Sequence, residues 1–373
     1  MNGAVSGPVG VGVIGAGVIS TQYLDNLSRA SDVSVHMIAD LDLDRARARA
    51  DEYDVAGAGS VDELLARDDI DIVLNLTIPA VHASVATSCV EAGKHVWTEK
   101  PFALDRVEGQ RLLDLATERG LRVACAPDTV LGPGVQTARR LLEQGAIGEP
   151  VSALTMFQVS GPEAWHPSPE FLYARGGGPL FDMGPYYLTT LVQLLGPIAR
   201  VDARGTRART ERIIGSGPKA GTRFPVEVPT NVAALYETVA GHVAQSTFSF
   251  ESPRPRVGVV EITGTEGTLV LPDPNMFDGE ITIWRAGMMP DDEPERHATT
   301  GHGMTRGLGV VELARAIRAG VPERASGELA LHVLDIMQST EESAASGAPI
   351  ALVTTASPAA AMPEGFDPWG ATL

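Results

Sequence analysis

The run from Val11 to Ser20, VGVIGAGVIS, reads as a buried strand that turns tightly into a helix through two closely spaced glycines. A turn of this kind is where a pyrophosphate sits. Gly15 allows the sharp bend, and Gly17 lets the backbone approach the phosphates with no Cβ in the way. The helix opened by Val18 and Ile19 then supplies free N–H groups and the positive end of its dipole. Ala16 lies between the glycines, and Ser20 holds the third position of the glycine fingerprint. A second strand, Val33–Ala39, ends in Asp40, twenty residues past Ser20. A carboxylate there accepts hydrogen bonds from the adenosine ribose hydroxyls and repels a 2′-phosphate, which points to NAD as the cofactor. The plainer reading of Asp40 is a solvated residue at a strand end.

A chain of 373 residues suits two domains, each able to bury a substantial core. Its net charge of −18 argues against nucleic acid and anionic membrane surfaces as partners, since both reward a basic face. A small-molecule substrate is the expectation. Met1 to Pro8 lacks a basic leader region, and no apolar run is long enough to span a bilayer, so a cytoplasmic location is expected. Cys89 and Cys125 have no Cys-x-x-Cys partner and no clustered histidines, so they read as buried thiols, with no metal site.

The first third alternates regularly. Strand-like Val9–Ile14, Val33–Ala39, Ile70–Thr77, His95–Thr98 and Leu121–Ala126 are separated by helical stretches, Leu43–Tyr53, Val61–Ala66, His82–Ala92 and Leu104–Arg119. Parallel βαβ units are the natural reading. From Val151 the texture changes to strand patterns: Val151–Val159, Asn231–Val239, His242–Phe250 and a hairpin from Val257–Thr263 to Thr268–Leu271. Helical patterns return at Gly309–Ala319 and Leu329–Ser346. The predicted architecture is α/β: a dinucleotide-binding domain over 1–128, a second α/β domain with an open, mostly antiparallel sheet over 129–355, and a tail over 356–373.

Two further stretches carry chemistry. Glu99-Lys100-Pro101 follows the fourth strand in a chain with only three lysines, Lys94, Lys100 and Lys219, against 26 arginines. A lysine in that loop supplies an amine able to lose its proton, which guanidinium cannot do. An incidental surface lysine paired with Glu99 is the alternative. The second stretch runs from Gly176 to Tyr187, GGGPLFDMGPYY, where Pro185 suits the first turn of a helix reaching about Leu195. Asp182 and Tyr186 then sit at the helix entrance facing one pocket, or Asp182 merely caps the helix and Tyr186 merely packs. The loop before it carries Trp165, His166, Phe171, Tyr173 and Arg175. Its aromatic groups suit stacking on a sugar ring and its His and Arg suit hydroxyls, with ordinary loop packing as the alternative.

Together these stretches resemble the glucose-fructose oxidoreductase, inositol dehydrogenase and MocA (Gfo/Idh/MocA) family from Val9 to about Ile350. The matching residues are Gly15-Ala16-Gly17, Asp40, Thr77-Ile78-Pro79 with His82, Glu99-Lys100-Pro101, the segment Gly145–Glu149, and Gly177-Gly178 leading to Asp182. The resemblance implies a Rossmann domain binding NAD through these N-terminal residues, and an α/β domain whose open sheet mediates homodimers or homotetramers. It also implies catalysis in the cleft between them and carries Lys100 and Asp182 over as catalytic. Tyr186 stands where many members have His, as in glucose-fructose oxidoreductases and dimeric dihydrodiol dehydrogenases. Asp128-Thr129-Val130 stands where many relatives have an Asn-Arg-like pair, so that arginine's contact is missing or supplied elsewhere.

The chemistry that follows is oxidation of a secondary alcohol on a sugar, cyclic polyol or glycoside. Lys100, partly desolvated beside an oxidised nicotinamide, is expected to have a lowered pKa and to accept the hydroxyl proton. Tyr186 relays or donates to the same oxygen, and Asp182 holds a neighbouring hydroxyl or orients Lys100. Trp165, His166 and Arg175 complete the expected substrate site. Two other functions fit the same residues: a redox-neutral NAD-dependent glycoside hydrolase, and a non-catalytic nucleotide and sugar sensor, which intact Lys100, Asp182 and Tyr186 disfavour.

Overall fold

The computed structural model describes residues 7–289 and 291–373. The first six residues of the expected 1–128 region lie outside the described residues. The N-terminal half builds β1 (Val9–Ile14), α1 (Val18–Leu27), β2 (Val33–Ala39), α2 (Leu43–Glu52), β3 (Gly57–Gly59), α3 (Val61–Leu65), β4 (Ile72–Asn75), α4 (His82–Glu91), β5 (His95–Thr98), α5 (Arg106–Glu118) and β6 (Val123–Cys125). Six parallel strands pair in the order β3-β2-β1-β4-β5-β6. This is the doubly wound Rossmann arrangement, and the strand order reverses beside β1, which puts the ligand crevice at the carboxyl end of β1. The strands are continuous apolar runs because helices cover both faces; every residue of β1 and β4 is buried.

The second half contains α6 (Pro133–Glu143), β7 (Pro150–Gln158), α7 (Gly178–Leu195), β8 (Ile198–Thr206), β9 (Glu211–Ile213), β10 (Arg223–Pro225), β11 (Asn231–Thr238), β12 (Val243–Ser249), β13 (Arg256–Gly264), β14 (Gly267–Val270), β15 (Ile281–Arg285), β16 (Glu295–His297), α8 (Leu308–Ala319), α9 (Gly327–Ser346) and β17 (Ile350–Ala351). Nine strands form a mixed sheet, β16-β15-β14-β13-β7-β12-β11-β8-β17, in which β7 and β12 are the parallel pair. Alternation along β11 buries Val232, Ala234 and Tyr236 against α7 and α9 and turns Ala233, Leu235 and Glu237 outward. No described helix is long and apolar enough to cross a membrane. Cys89 and Cys125 are both free thiols in buried positions.

Two departures from the sequence reading shape the site. Helix α7 starts at Gly178 with Pro179 in its first turn, so Pro185 lies inside the helix rather than at its start. Asp182 is therefore a helical residue and not a cap: the N-cap is Gly177, which offers no side chain. The second departure is that α8 leaves the nine-stranded sheet and joins the core of the first domain with Val11, Val13, Trp97 and Ala124. Gly309 makes this approach possible, since a Cβ there would stand 1.8 Å from the Trp97 ring. The segment expected as a tail also packs there. Met362 is buried and its amide donates to Gln136 at 2.7 Å, while Asp32 takes the Thr372 amide at 2.7 Å.

Candidate active site

At the carboxyl end of β1, Gly15 has φ of +106°, and a Cβ there would lie 2.7 Å from the carbonyl oxygen of Leu76. Only glycine fits that bend. Nothing lies within 4 Å of the place a Gly17 Cβ would occupy, and α1 begins with no side-chain cap and no acidic residue in its first turn. The helix N-terminus is thus open to an anion. A groove of about 460 Å³ runs past it, lined by Gly15, Gly17, Asp40, Leu41, Arg45, Thr77, Ile78, Val81 and Val85, among others. Open amides, a glycine-walled bend and an acidic end fit a dinucleotide.

Asp40 is buried, and its carboxylate accepts from the Ala16 amide at 2.8 Å and the Asp42 amide at 2.9 Å. It also accepts from Arg45, at 2.7 Å from Nη2 and 3.2 Å from Nε. Burial pushes its pKa up, but the Arg45, Asp42 and Ala16 donors outweigh it and hold the carboxyl below the usual value. Arg45 had no role in the sequence reading; its five-residue spacing from Asp40 was the available signal. Val18 is solvent-exposed beside the groove, whereas Ile19 turns into the neighbouring cavity.

The opposite rim is the turn after β4. Thr77 donates to Asn75 at 2.7 Å and lines both the groove and that cavity, Ile78 lines the groove, and Pro79 lines the cavity. His82 lines neither. Its buried ring lies behind them, with one nitrogen 2.9 Å from the Thr77 carbonyl and the other 2.8 Å from that of Pro101, and the neutral ring donates to one of the two. Burial lowers its pKa. Glu99 is likewise committed to protein partners, accepting from the Tyr23 hydroxyl at 2.7 Å and the Lys100 amide at 3.1 Å, although it too lines the cavity.

Lys100, Asp182 and Tyr186 come together in that cavity, which has a volume of about 340 Å³. The Lys100 ammonium donates to the Asp182 carboxylate at 2.9 Å and to the Asp182 carbonyl at 2.7 Å, and lies 5.2 Å from the centre of the Tyr186 ring. Asp182 and Tyr186 are one helical turn apart, so both face the lysine. Burial works against the ammonium, but Asp182, Tyr186 and Glu99 outweigh it, and the pKa is raised above the ordinary lysine value. The expected lowering rests on burial beside an oxidised nicotinamide; in the protein alone the Asp182 carboxylate in contact outweighs burial.

Behind Tyr186 lies a residue with no role in the sequence reading. Arg306 donates from Nη2 to the Tyr186 hydroxyl at 3.1 Å and from Nη1 to Asp128 at 3.0 Å. Asp128 is fully buried and also accepts from the Gly307 amide at 2.9 Å, fastening the start of α8. Burial raises the Asp128 pKa. An arginine does reach Asp128, from 178 residues away in the chain. No local pattern signals it.

The loop before α7 forms the cavity's outer wall. Trp165, His166 and Phe171 line it in sequence, His166 standing edge-on to Trp165 at 5.6 Å and to Phe171 at 5.5 Å between ring centres. Trp165 is 68% exposed. A buried cluster beneath anchors this wall: Arg212 pairs with Glu163 and, at 2.7 Å, with Glu251, while Tyr173 donates to Glu163. Arg175, expected at the substrate, instead lines a separate groove with Arg106, Arg111, Gln338 and Glu342.

Residues 9–126 match the oxidoreductase family with an NAD-binding Rossmann fold, GFO/IDH/MocA, and residues 135–270 match the GFO/IDH/MocA C-terminal domain. The chain belongs to the Gfo/Idh/MocA family. It is 30% identical over 335 residues, 88% of this chain and 91% of the relative, to dTDP-3,4-didehydro-2,6-dideoxy-alpha-D-glucose 3-reductase of Actinomadura kijaniata. To trans-1,2-dihydrobenzene-1,2-diol dehydrogenase of Bos taurus it is 26% identical over 301 residues, 79% of this chain and 84% of the relative. A solved structure of levoglucosan dehydrogenase in complex with NADH shares the fold, with a TM-score of 0.80 at 22% identity over 93% of this chain and 100% of that one. The chain is thus an oxidoreductase with an NAD-binding Rossmann domain, and NAD is its cofactor.

Proposed function

We propose that this Gfo/Idh/MocA oxidoreductase interconverts a secondary alcohol and a ketone on a sugar, cyclic polyol or glycoside. The observation that carries the reading is the Lys100 ammonium held 2.9 Å from Asp182 and over the Tyr186 ring, in a cavity that meets the dinucleotide groove at Thr77. NAD bound in the groove supplies the hydride acceptor or donor at its nicotinamide. Lys100 handles the proton. In the reductive direction Nζ gives a proton to the oxygen of the former carbonyl, and in the oxidative direction its neutral form removes the hydroxyl proton. Asp182 orients Nζ, and Tyr186 contacts the same oxygen. The Trp165 and His166 rings suit a sugar face, and the sugar-directed name of the Actinomadura kijaniata relative supports a carbohydrate.

Lys100, Asp182 and Tyr186 are the proposed catalytic groups, with Trp165 and His166 at the substrate. The outer face of the nine-stranded sheet leaves Leu154, Met156, Leu235, Val243 and Val259 at least partly exposed, which supports a homodimer or homotetramer. The test is a panel of inositols, aldoses, aryl glycosides, 2-keto-myo-inositol, 1,5-anhydro-D-fructose and 3-keto-glucosides, followed at the NADH absorbance with aglycone release measured in parallel. Stoichiometric NADH turnover on one of them is the expected result. Aglycone release without net NADH change would replace this reading with the redox-neutral glycoside hydrolase.

A further inference from the structure

Arginine offers five N–H donors and no acceptor. In the 3.1 Å contact between Arg306 Nη2 and the Tyr186 hydroxyl, the tyrosine oxygen is therefore the acceptor, and its own proton must point elsewhere. Among the described residues no protein group accepts a hydrogen bond from that hydroxyl, and Tyr186 lines the cavity. Lys100, the other group facing Tyr186, is also a donor. Arg306 is itself fixed on several sides. It pairs with the fully buried Asp128 at 3.0 Å, donates to Asn275 at 3.3 Å, and lies 5.6 Å from the Phe277 ring centre.

We infer that Arg306 is a positioning residue that locks the Tyr186 hydroxyl as a hydrogen-bond donor into the cavity, so that Tyr186 and Lys100 present two donors to one substrate carbonyl oxygen. The inference rests on the reading of Tyr186 as a substrate-facing group. Its consequence is a site keyed to the ketone form of the substrate: two donors strengthen their hold as negative charge grows on the oxygen during hydride addition. A side chain without a fixed donor behind it would leave the tyrosine hydroxyl free to rotate away from that oxygen.

The test is a double-mutant cycle on the keto compound of the panel that turns over fastest. Removing Arg306 alone strands a buried carboxylate, so Arg306→Met is combined with Asp128→Asn, which keeps an acceptor for the Gly307 amide. Reductive kcat should fall about 10- to 100-fold with NADH binding, read by fluorescence, unchanged. Adding Tyr186→Phe should then cost less than about threefold more, because groups acting as one unit are not additive. Arg306→Lys, which retains a donor, should recover part of the rate, and carries the same cycle if the paired variant does not fold. Wild-type kcat in the Arg306→Met, Asp128→Asn pair, or losses that simply multiply with Tyr186→Phe, would overturn the inference while leaving a catalytic Tyr186 intact. A fully active Tyr186→Phe enzyme would overturn the reading of Tyr186 and this inference with it.

Discussion

The Arg45 guanidinium grips the Asp40 carboxylate with two nitrogens, Nη2 at 2.7 Å and Nε at 3.2 Å, at the adenosine end of the dinucleotide groove. In the wild type the arginine charge is committed to that carboxylate, so no unpaired cation is offered there to a 2′-phosphate. NAD should therefore bind more tightly than NADP. Asp40→Ser releases Arg45 to face a 2′-phosphate directly, and a charge-assisted contact of this kind is worth about tenfold or more in affinity. Titration of NADH and NADPH by fluorescence reads the preference. Equal affinity in the wild type, or no movement towards NADPH in Asp40→Ser, would refute the assignment.

Lys100→Arg tests the proton-transfer role. The guanidinium keeps the positive charge beside Asp182 but has no accessible neutral form, so turnover should fall by about a hundredfold or more in both directions. NADH affinity should change by less than about threefold, since the lysine sits at the cavity and not in the groove. Near-normal turnover would remove Lys100 from the reaction.

Much of this was legible in the sequence wherever structure is local. The Val11–Ser20 turn, the short apolar runs and the period-3.6 patterns locate five of the six Rossmann strands and the helices read between them within one or two residues, because a strand buried on both faces must be a short apolar run, whereas the Gly-Ala-Gly of β3 carries no such mark. Lys100, Asp182 and Tyr186 were likewise marked by their motifs, and the structure brings them together. Pro185 misled because a proline is tolerated inside α7, where its neighbours in a buried helix hold the chain, so Pro179 and not Pro185 sits in the first turn. Arg306 was invisible for a different reason. Its partners Asp128 and Tyr186 lie 178 and 120 residues away, and nothing in the segment around it marks an arginine destined for burial. Strand β8 escaped notice too: its outward Arg200, Asp202 and Arg204 masked the inward Val201 and Ala203.

Glu341 on α9 gives a stability test away from the cavity. Burial pushes its pKa up to about 7 from an ordinary 4.5, with Arg175 opposing. Between those two values the folded chain holds a proton that the unfolded chain has lost, so stability falls as pH rises through this window. Glu341→Gln removes the titration. It should melt at the same temperature as the wild type at pH 4 and about 1–3 °C higher at pH 8. A difference that is constant with pH, measured by calorimetry, would show that folding does not shift the Glu341 titration.

Asp182→Asn separates the charge at Asp182 from its shape. The asparagine keeps an oxygen for the Lys100 ammonium and the backbone carbonyl still accepts at 2.7 Å, but the carboxylate that holds the ammonium charged is gone. Burial then acts without its largest opponent, and the lysine pKa falls. Reduction needs the ammonium, so its alkaline limb should move to lower pH by about one unit or more. Oxidation needs the neutral amine, so its rise with pH should move the same way. Both limbs must shift together, because one proton serves both directions. The ion pair's contribution to stability has the matching sign: it is complete below the ordinary lysine value of 10.5 and is lost only as pH climbs through the raised folded value. The melting difference between Asp182→Asn and wild type should therefore be flat below the pH at which the variant's rate limb appears and should narrow above it, where the folded variant has lost a proton that the unfolded chain still holds. Unmoved limbs with a normal kcat would mean that Asp182 does not govern the Lys100 proton.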